Sequence, residues 1–145
     1  MKVEREVDIA APARDLYEVV MDPSRLEDWV TIHQELRDAP DGYLKKGSTL
    51  TQCLKLGGRS FKVDWAVVEN DPCRRVVWEG RGPVRSKANV TYEFAESDGV
   101  THFSYSNEYK LPGGPLGGMA GSVVRRVTAG ELEKSLQRLR KLVES

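Results

Sequence analysis

Along residues 2–10 the hydrophobic positions Val3, Val7 and Ile9 share one parity, while Glu4, Glu6 and Asp8 share the other, with Arg5 the departure. That is the period of a half-buried strand. Ala11-Pro12-Ala13 then opens a helix through Leu16, Tyr17, Val19 and Val20. Pro12 suits the first turn, where its missing N–H would have no intrahelical acceptor. The helix should stop near Asp22-Pro23, and residues 23–29 predict one or two further helical turns that deliver Trp29 at their end. Residues 31–47 carry mixed signals, Pro40-Asp41-Gly42 being the clearest turn.

From Thr49 onward, strand follows strand. Residues 49–56 run into Gly57-Gly58, a two-residue hairpin connection, and then into residues 60–69. Asn70-Asp71-Pro72 turns the chain into 75–80, Gly82-Pro83 into 86–95, and Ser97-Asp98-Gly99 into 100–111. Connections this short predict antiparallel neighbours. A glycine-proline loop at 112–118 precedes a long helix from about Met119 to Glu144.

The element order is therefore a strand, two short helices, five or six more strands and one long helix. A curved antiparallel sheet needs an apolar cover on one face, and only the terminal helix is long enough to provide it. The expectation is a single α+β domain over residues 1–145 with the sheet wrapped around that helix. On the helix, Leu116, Met119, Val123 and Val127 share one face, whereas Leu132, Leu136, Leu139 and Val143 share another, rotated by roughly a third of a turn. The change falls at Thr128-Ala129-Gly130, where a kink or break is predicted.

Strand parity also selects an inner face. Phe61, Val63, Trp65 and Val67 point inward from one strand, Val76 and Trp78 from the next, and Ala88, Val90, Tyr92 and Phe94 from the third. Phe103, Tyr105, Asn107 and Tyr109 do so from the last. This set is polar for a core, because each phenol, indole or amide costs a few kcal/mol when buried without a partner. Either these groups satisfy one another in a solid interior, or they line a cavity in which a ligand or water satisfies them.

Composition narrows the function classes. Lys and Arg number 22 and Asp and Glu 22, for a net charge of zero. There is thus no long-range field to gather nucleic acid or anionic lipid. No apolar run approaches the ~20 residues of a membrane span. Charges at Lys2, Glu4, Arg5, Glu6 and Asp8 interrupt any secretory apolar region, so a cytoplasmic location is expected. Cys53 and Cys73 form no C-x-x-C pair, and His33 and His102 lack Cys or His companions. No metal site, disulfide framework or cofactor is expected.

The opening strand, Ala11-Pro12-Ala13 with Leu16-Tyr17, Asp22-Pro23-Ser24-Arg25-Leu26 and Trp29, residues 69–78 and the final helix together resemble the START-like superfamily, in particular its bacterial polyketide cyclase/dehydrase branch. The likeness covers essentially the whole chain. It implies a helix-grip fold: a seven-stranded curved antiparallel sheet around the C-terminal helix, with two short helices after the first strand closing a deep cavity. Members of the family bind lipids, sterols, quinones, plant hormones or polyketides, and some cyclise and aromatise a carrier-bound poly-β-ketone without a cofactor.

By that resemblance Trp29, Trp65, Tyr105 and Asn107 match cavity-lining positions, and strand parity and the first face of the terminal helix complete the expected ligand-binding set with Phe61, Val63, Val67, Trp78, Val90, Tyr92, Phe103, Met119, Val123 and Val127. The catalytic candidates are Tyr105 and Tyr92, whose phenols could donate to a developing enolate, and Glu69, a general base if burial raises its pKa. Aromatase members tend to carry an arginine where this chain has Glu69, and the alternative for that carboxylate is a strand end in water. The loop 112–118 lacks the Lys-Ser/Thr of a phosphate-binding loop, and Pro115 removes an amide, so it reads as a gate or an ordinary loop.

Arg125, Arg126, Arg138, Arg140 and Lys141 give the last helix a basic side that could dock an acidic acyl carrier protein. A homodimer is left open. The expected function is binding of a hydrophobic or aromatic small molecule, elaborated in an enzyme into cyclase, aromatase or dehydratase chemistry. The alternatives are a lipid or quinone carrier without chemistry, or an interaction module like the chaperone-ATPase activators of this fold.

Overall fold

The computed structural model of the chain describes residues 2–110 and 118–144, except for the side chains at positions 84, 110 and 118–123. The elements run β1 (Lys2–Ile9), α1 (Ala13–Val20), α2 (Leu26–Trp29), β2 (His33–Leu36), β3 (Thr49–Leu56), β4 (Arg59–Asp71), β5 (Arg75–Arg81), β6 (Lys87–Ser97), β7 (Val100–Lys110) and α3 (Gly118–Glu144). The strands form one seven-stranded sheet in the order β1-β7-β6-β5-β4-β3-β2. Every neighbouring pair is antiparallel, and β1 closes one side by pairing with β7 through Val3↔Asn107 and Val7↔Phe103. The α+β helix-grip arrangement read from the sequence is the one observed.

Local chemistry explains the connections. At Gly57 and Gly58 φ is 59° and 83°, the doubly positive pair that lets a two-residue turn follow the twist of β3 and β4. Asp98 and Gly99, at 52° and 79°, do the same between β6 and β7. Pro12 stands one residue before α1 rather than inside its first turn and offers no side-chain cap. Glu96 of β6 takes that role, its Oε1 accepting from the Ala13 N–H at 2.7 Å. Asp22 caps the 3-10 turn Pro23–Arg25 through the Ser24 N–H, and α2 follows with Leu26 and Trp29 buried.

Two expectations need correction. Residues 33–36 form an edge strand beside β3 that the mixed pattern did not reveal. Of the kink or break predicted at Thr128-Ala129-Gly130, the break is not there, for α3 is helical without a gap through those residues. One helical glycine costs only about 1 kcal/mol, and the two faces have different partners. Val124 and Val127 face the interior of the sheet, while Leu132, Leu136 and Leu139 are buried in the core further along, where α3 meets β1 and the short helices. Arg5, the odd residue of the first strand, reaches Glu133 of α3 at 2.9 Å.

Candidate functional site

Between the inner face of the sheet, α2 and α3 lies a cavity of about 540 Å³, within the roughly 300–1,000 Å³ typical of small-molecule sites. β4 contributes Phe61, Val63 and Trp65, β5 Trp78, β6 Ala88, Val90 and Tyr92, and β7 Tyr105, Asn107 and Tyr109. The opposite side comes from Leu26, Val30 and Ile32 around α2, from Gln52, Leu54 and Leu56 on β3, and from Val124 and Val127 on α3. The wall is thus graded, aliphatic toward β3 and phenolic toward β7.

Trp65 is held from two directions. It sits opposite Gly80 in the β4–β5 register, and a Cβ added at Gly80 would lie 2.6 Å from its ring. Only a residue without a side chain leaves room for the indole. Its Nε1–H donates to Gln52 Oε1 at 3.0 Å, and the Gln52 amide nitrogen donates to His33 Nδ1 at 2.8 Å. An amide NH2 can only donate, so the His33 ring accepts at Nδ1 and is neutral with its proton on Nε2. Burial lowers the His33 pKa, opposed in part by Glu27.

An aromatic cluster backs the phenolic wall. Trp78 meets Trp65 at a ring separation of 6.0 Å and Tyr92 at 5.6 Å, the second nearly perpendicular at 86°. Tyr92 lies 5.1 Å from Tyr105, and Trp29 packs on both at 5.9 and 5.6 Å. Burial pushes all three phenols upward, Tyr92 and Tyr105 strongly, with Asn107 and Tyr92 partly relieving Tyr105 and Thr128 relieving Tyr109. At neutral pH these hydroxyls keep their protons and can donate to a ligand oxygen. The buried indole N–H groups of Trp29 and Trp78 have no hydrogen-bond partner among the described residues.

Of the predicted ligand set, Phe61, Val63, Trp65, Trp78, Val90, Tyr92, Tyr105, Asn107 and Val127 line the cavity. Trp29, Val67 and Phe103 are buried but stand behind the lining, in the core. The side chains of Met119 and Val123, and the loop 112–118 up to Gly118, lie outside the described residues. The pattern missed Gln52, an amide on the inward parity of β3 between Leu50 and Leu54, and the glycine that admits Trp65.

Glu69 is a correction. The β4–β5 register slips between Val67 and Glu69, leaving Val68 as an extra residue, a bulge that reverses the parity beyond it. Glu69 therefore faces outward, exposed, and holds Arg75 at 2.7 Å. Asn70 turns in instead and accepts from the Tyr17 hydroxyl at 2.8 Å. Tyr92 and Tyr105 share the cavity, and Glu69 does not.

The titratable groups lining the cavity are the three phenols, with Arg59 and Lys87 at one end. No carboxylate or imidazole lines it among the described residues, and residues 111–117, Leu-Pro-Gly-Gly-Pro-Leu-Gly, contain neither. Among the described residues no cluster of three or more His, Cys, Asp or Glu could hold a metal ion, and no helix is long and apolar enough to cross a membrane.

Comparison with known proteins agrees with this architecture. The sequence profile of the family described as polyketide cyclase/dehydrase and lipid transport matches residues 1–144. An uncharacterised Mycobacterium tuberculosis protein, Rv1546, is 29% identical over 140 residues, covering 97% of this chain and 96% of its own. Toxin Rv0910 of the same organism is 23% identical over 136 residues, covering 94% and 93%. A START superfamily protein from Mycobacterium smegmatis has a solved structure that superposes with a TM-score of 0.75 at 19% identity, covering 99% of this chain and 97% of that one.

Proposed function

Because the chain belongs to the polyketide cyclase/dehydrase and lipid transport family, we propose that it binds a hydrophobic, fused-ring or similarly flat small molecule in the cavity, without chemistry of its own. The family spreads one START-like scaffold over many functions, and a fold does not decide among them. The site must do so. The observation that carries the reading is the lining itself: aliphatic on one side, phenol and indole on the other, with no carboxylate or imidazole among the described residues that line it.

Ring closure of a poly-β-ketone needs a proton acceptor at an acidic carbon and a donor to the ketone oxygen. Tyr92 and Tyr105 can supply the donor. The acceptor assigned to Glu69 lies on the far side of the sheet, which supports binding over cyclisation. A carrier-protein partner for the exposed α3 cations Arg125, Arg126 and Arg138 belongs with that catalytic alternative.

Titration with pyrenemethanol, a neutral fused-ring probe, tests the proposal by quenching of tryptophan fluorescence. Saturable binding is expected in the native protein and its loss in Val90→Trp, which fills the cavity. A native protein that does not saturate, or a variant that folds and binds equally well, would overturn the reading.

A further inference from the structure

Resting on the cavity reading, we propose that the ligand carries an acidic group, a carboxylate or its equivalent, which docks on Arg59 at the end of the cavity with Lys87 as a second cation. Arg59 is the first residue of β4 and falls on the inward row that continues as Phe61, Val63 and Trp65. It lines the cavity where the β3–β4 turn at Gly57 meets the β5–β6 connection at Gly82 and Pro83.

Some cations on the sheet are held by the protein, Arg75 by Glu69 and Glu93 and Arg5 by Glu133, and others, such as Lys55 and Lys62, are unpaired among the described residues but do not line the cavity. Arg59 and Lys87 make no ion pair among the described residues, and no carboxylate lines the cavity beside them. Residues 111–117 contain no acid either.

The register ranks the two cations. Lys87 stands opposite Arg81, and Arg81 opposite Asp64, on a row whose parity is opposite to that of the inward Gly80 and Ala88. The acids Asp64, Glu79 and Glu108 line a groove on the outer face that Lys87 shares and Arg59 does not. Arg59 is therefore the principal anchor.

The interior fixes the orientation. An anion placed among Val63, Val90 and Val127 would lose its hydration without gaining a cation. The ring system goes inward, where the protonated phenols can meet a neutral oxygen, and the charge stays at Arg59. A planar guanidinium also suits a carboxylate, which it can meet with two parallel hydrogen bonds.

Pyrenecarboxylate and pyrenemethanol share one ring body and differ in charge, and their affinities are compared in the native protein, in Arg59→Gln and in Arg59→Gln/Lys87→Gln. The expected result is a preference for the carboxylate of about five-fold if one exposed pair forms and about ten- to thirty-fold if both cations engage. The preference should shrink with added salt and disappear in the double variant, in which pyrenemethanol still binds saturably and so reports an intact cavity. Equal binding of the two probes by the native protein, or a preference that survives the double variant, overturns the acidic-ligand inference and leaves the cavity reading standing. Failure of both probes to bind the native protein overturns the cavity reading itself.

Discussion

Gly80→Ala should disturb this protein far more than a surface glycine would, because of where its new methyl would go. An ideal Cβ there stands 2.6 Å from Cε3 and Cζ3 of Trp65 and 2.7 Å from Cγ1 of Val63, well inside van der Waals contact. The indole cannot yield without moving its Nε1 from Gln52, 3.0 Å away. Overpacking of this kind costs about 1–3 kcal/mol, and losing a buried hydrogen bond adds about 0.5–1.5 kcal/mol. Stiffening the unfolded chain returns at most about 1 kcal/mol.

The net expectation is a loss of about 1–3 kcal/mol, or several degrees in Tm for a chain of this size. Urea unfolding gives the energy if the slope stays constant, and the Trp65 indole N–H resonance reports the displacement. The same substitution in a Trp65→Leu background should cost at least 1 kcal/mol less, because the two positions are coupled through contact. A Gly80→Ala variant within about 0.5 kcal/mol of the native protein, with its indole resonance unmoved, would refute the argument.

Three further outcomes follow from the same geometry. Gln52→Leu strands the Trp65 N–H and deprives His33 of its donor, so a loss of about 1–3 kcal/mol is expected by urea unfolding; an unchanged midpoint contradicts it. NMR titration should place His33 below and His102 above the ordinary imidazole midpoint of about 6.5, since burial lowers the first and the hydrogen bond to Asp8 raises the second. The His33 contribution to stability is then present above about pH 6.5 and lost as pH falls below it, whereas that of His102 is present below about 6.5 and lost as pH rises through its raised value. Protonation of His33 Nδ1 also removes the acceptor for Gln52, so the Trp65 indole resonance should move with the His33 titration; the reverse order of midpoints would contradict the assignment. Glu69→Gln should leave pyrenemethanol affinity unaltered, and a several-fold change would return that carboxylate to the site.

The meander was legible because its signals are local. Alternation marks each strand, and Gly57-Gly58 and Asp98-Gly99 mark their turns, so the inward row from Phe61 to Val67 follows from parity alone. Parity fails where the backbone departs from period two, as at Val68, and nothing in Val67-Val68-Glu69 announces the bulge. The edge strand at 33–36 was hidden because its identity depends on pairing with β3 rather than on its own residues. Trp29 and Phe103 were rightly placed indoors, but depth behind a wall is set by tertiary packing. The importance of Gly80 and Gln52 likewise appears only once β3, β4 and β5 are in register around Trp65. On α3, the change of apolar face predicts a kink or break; the break is absent because the helix runs on without a gap, and the two faces meet different neighbours along its length.

The hollow interior is tested most directly by intermolecular NOEs from bound pyrenemethanol to the protein's methyl groups. The account predicts contacts to Val63, Val90 and Val127, which line the cavity from the sheet and from α3. Contacts confined to exposed methyls such as those of Val68 and Val100, at saturating probe, would contradict it.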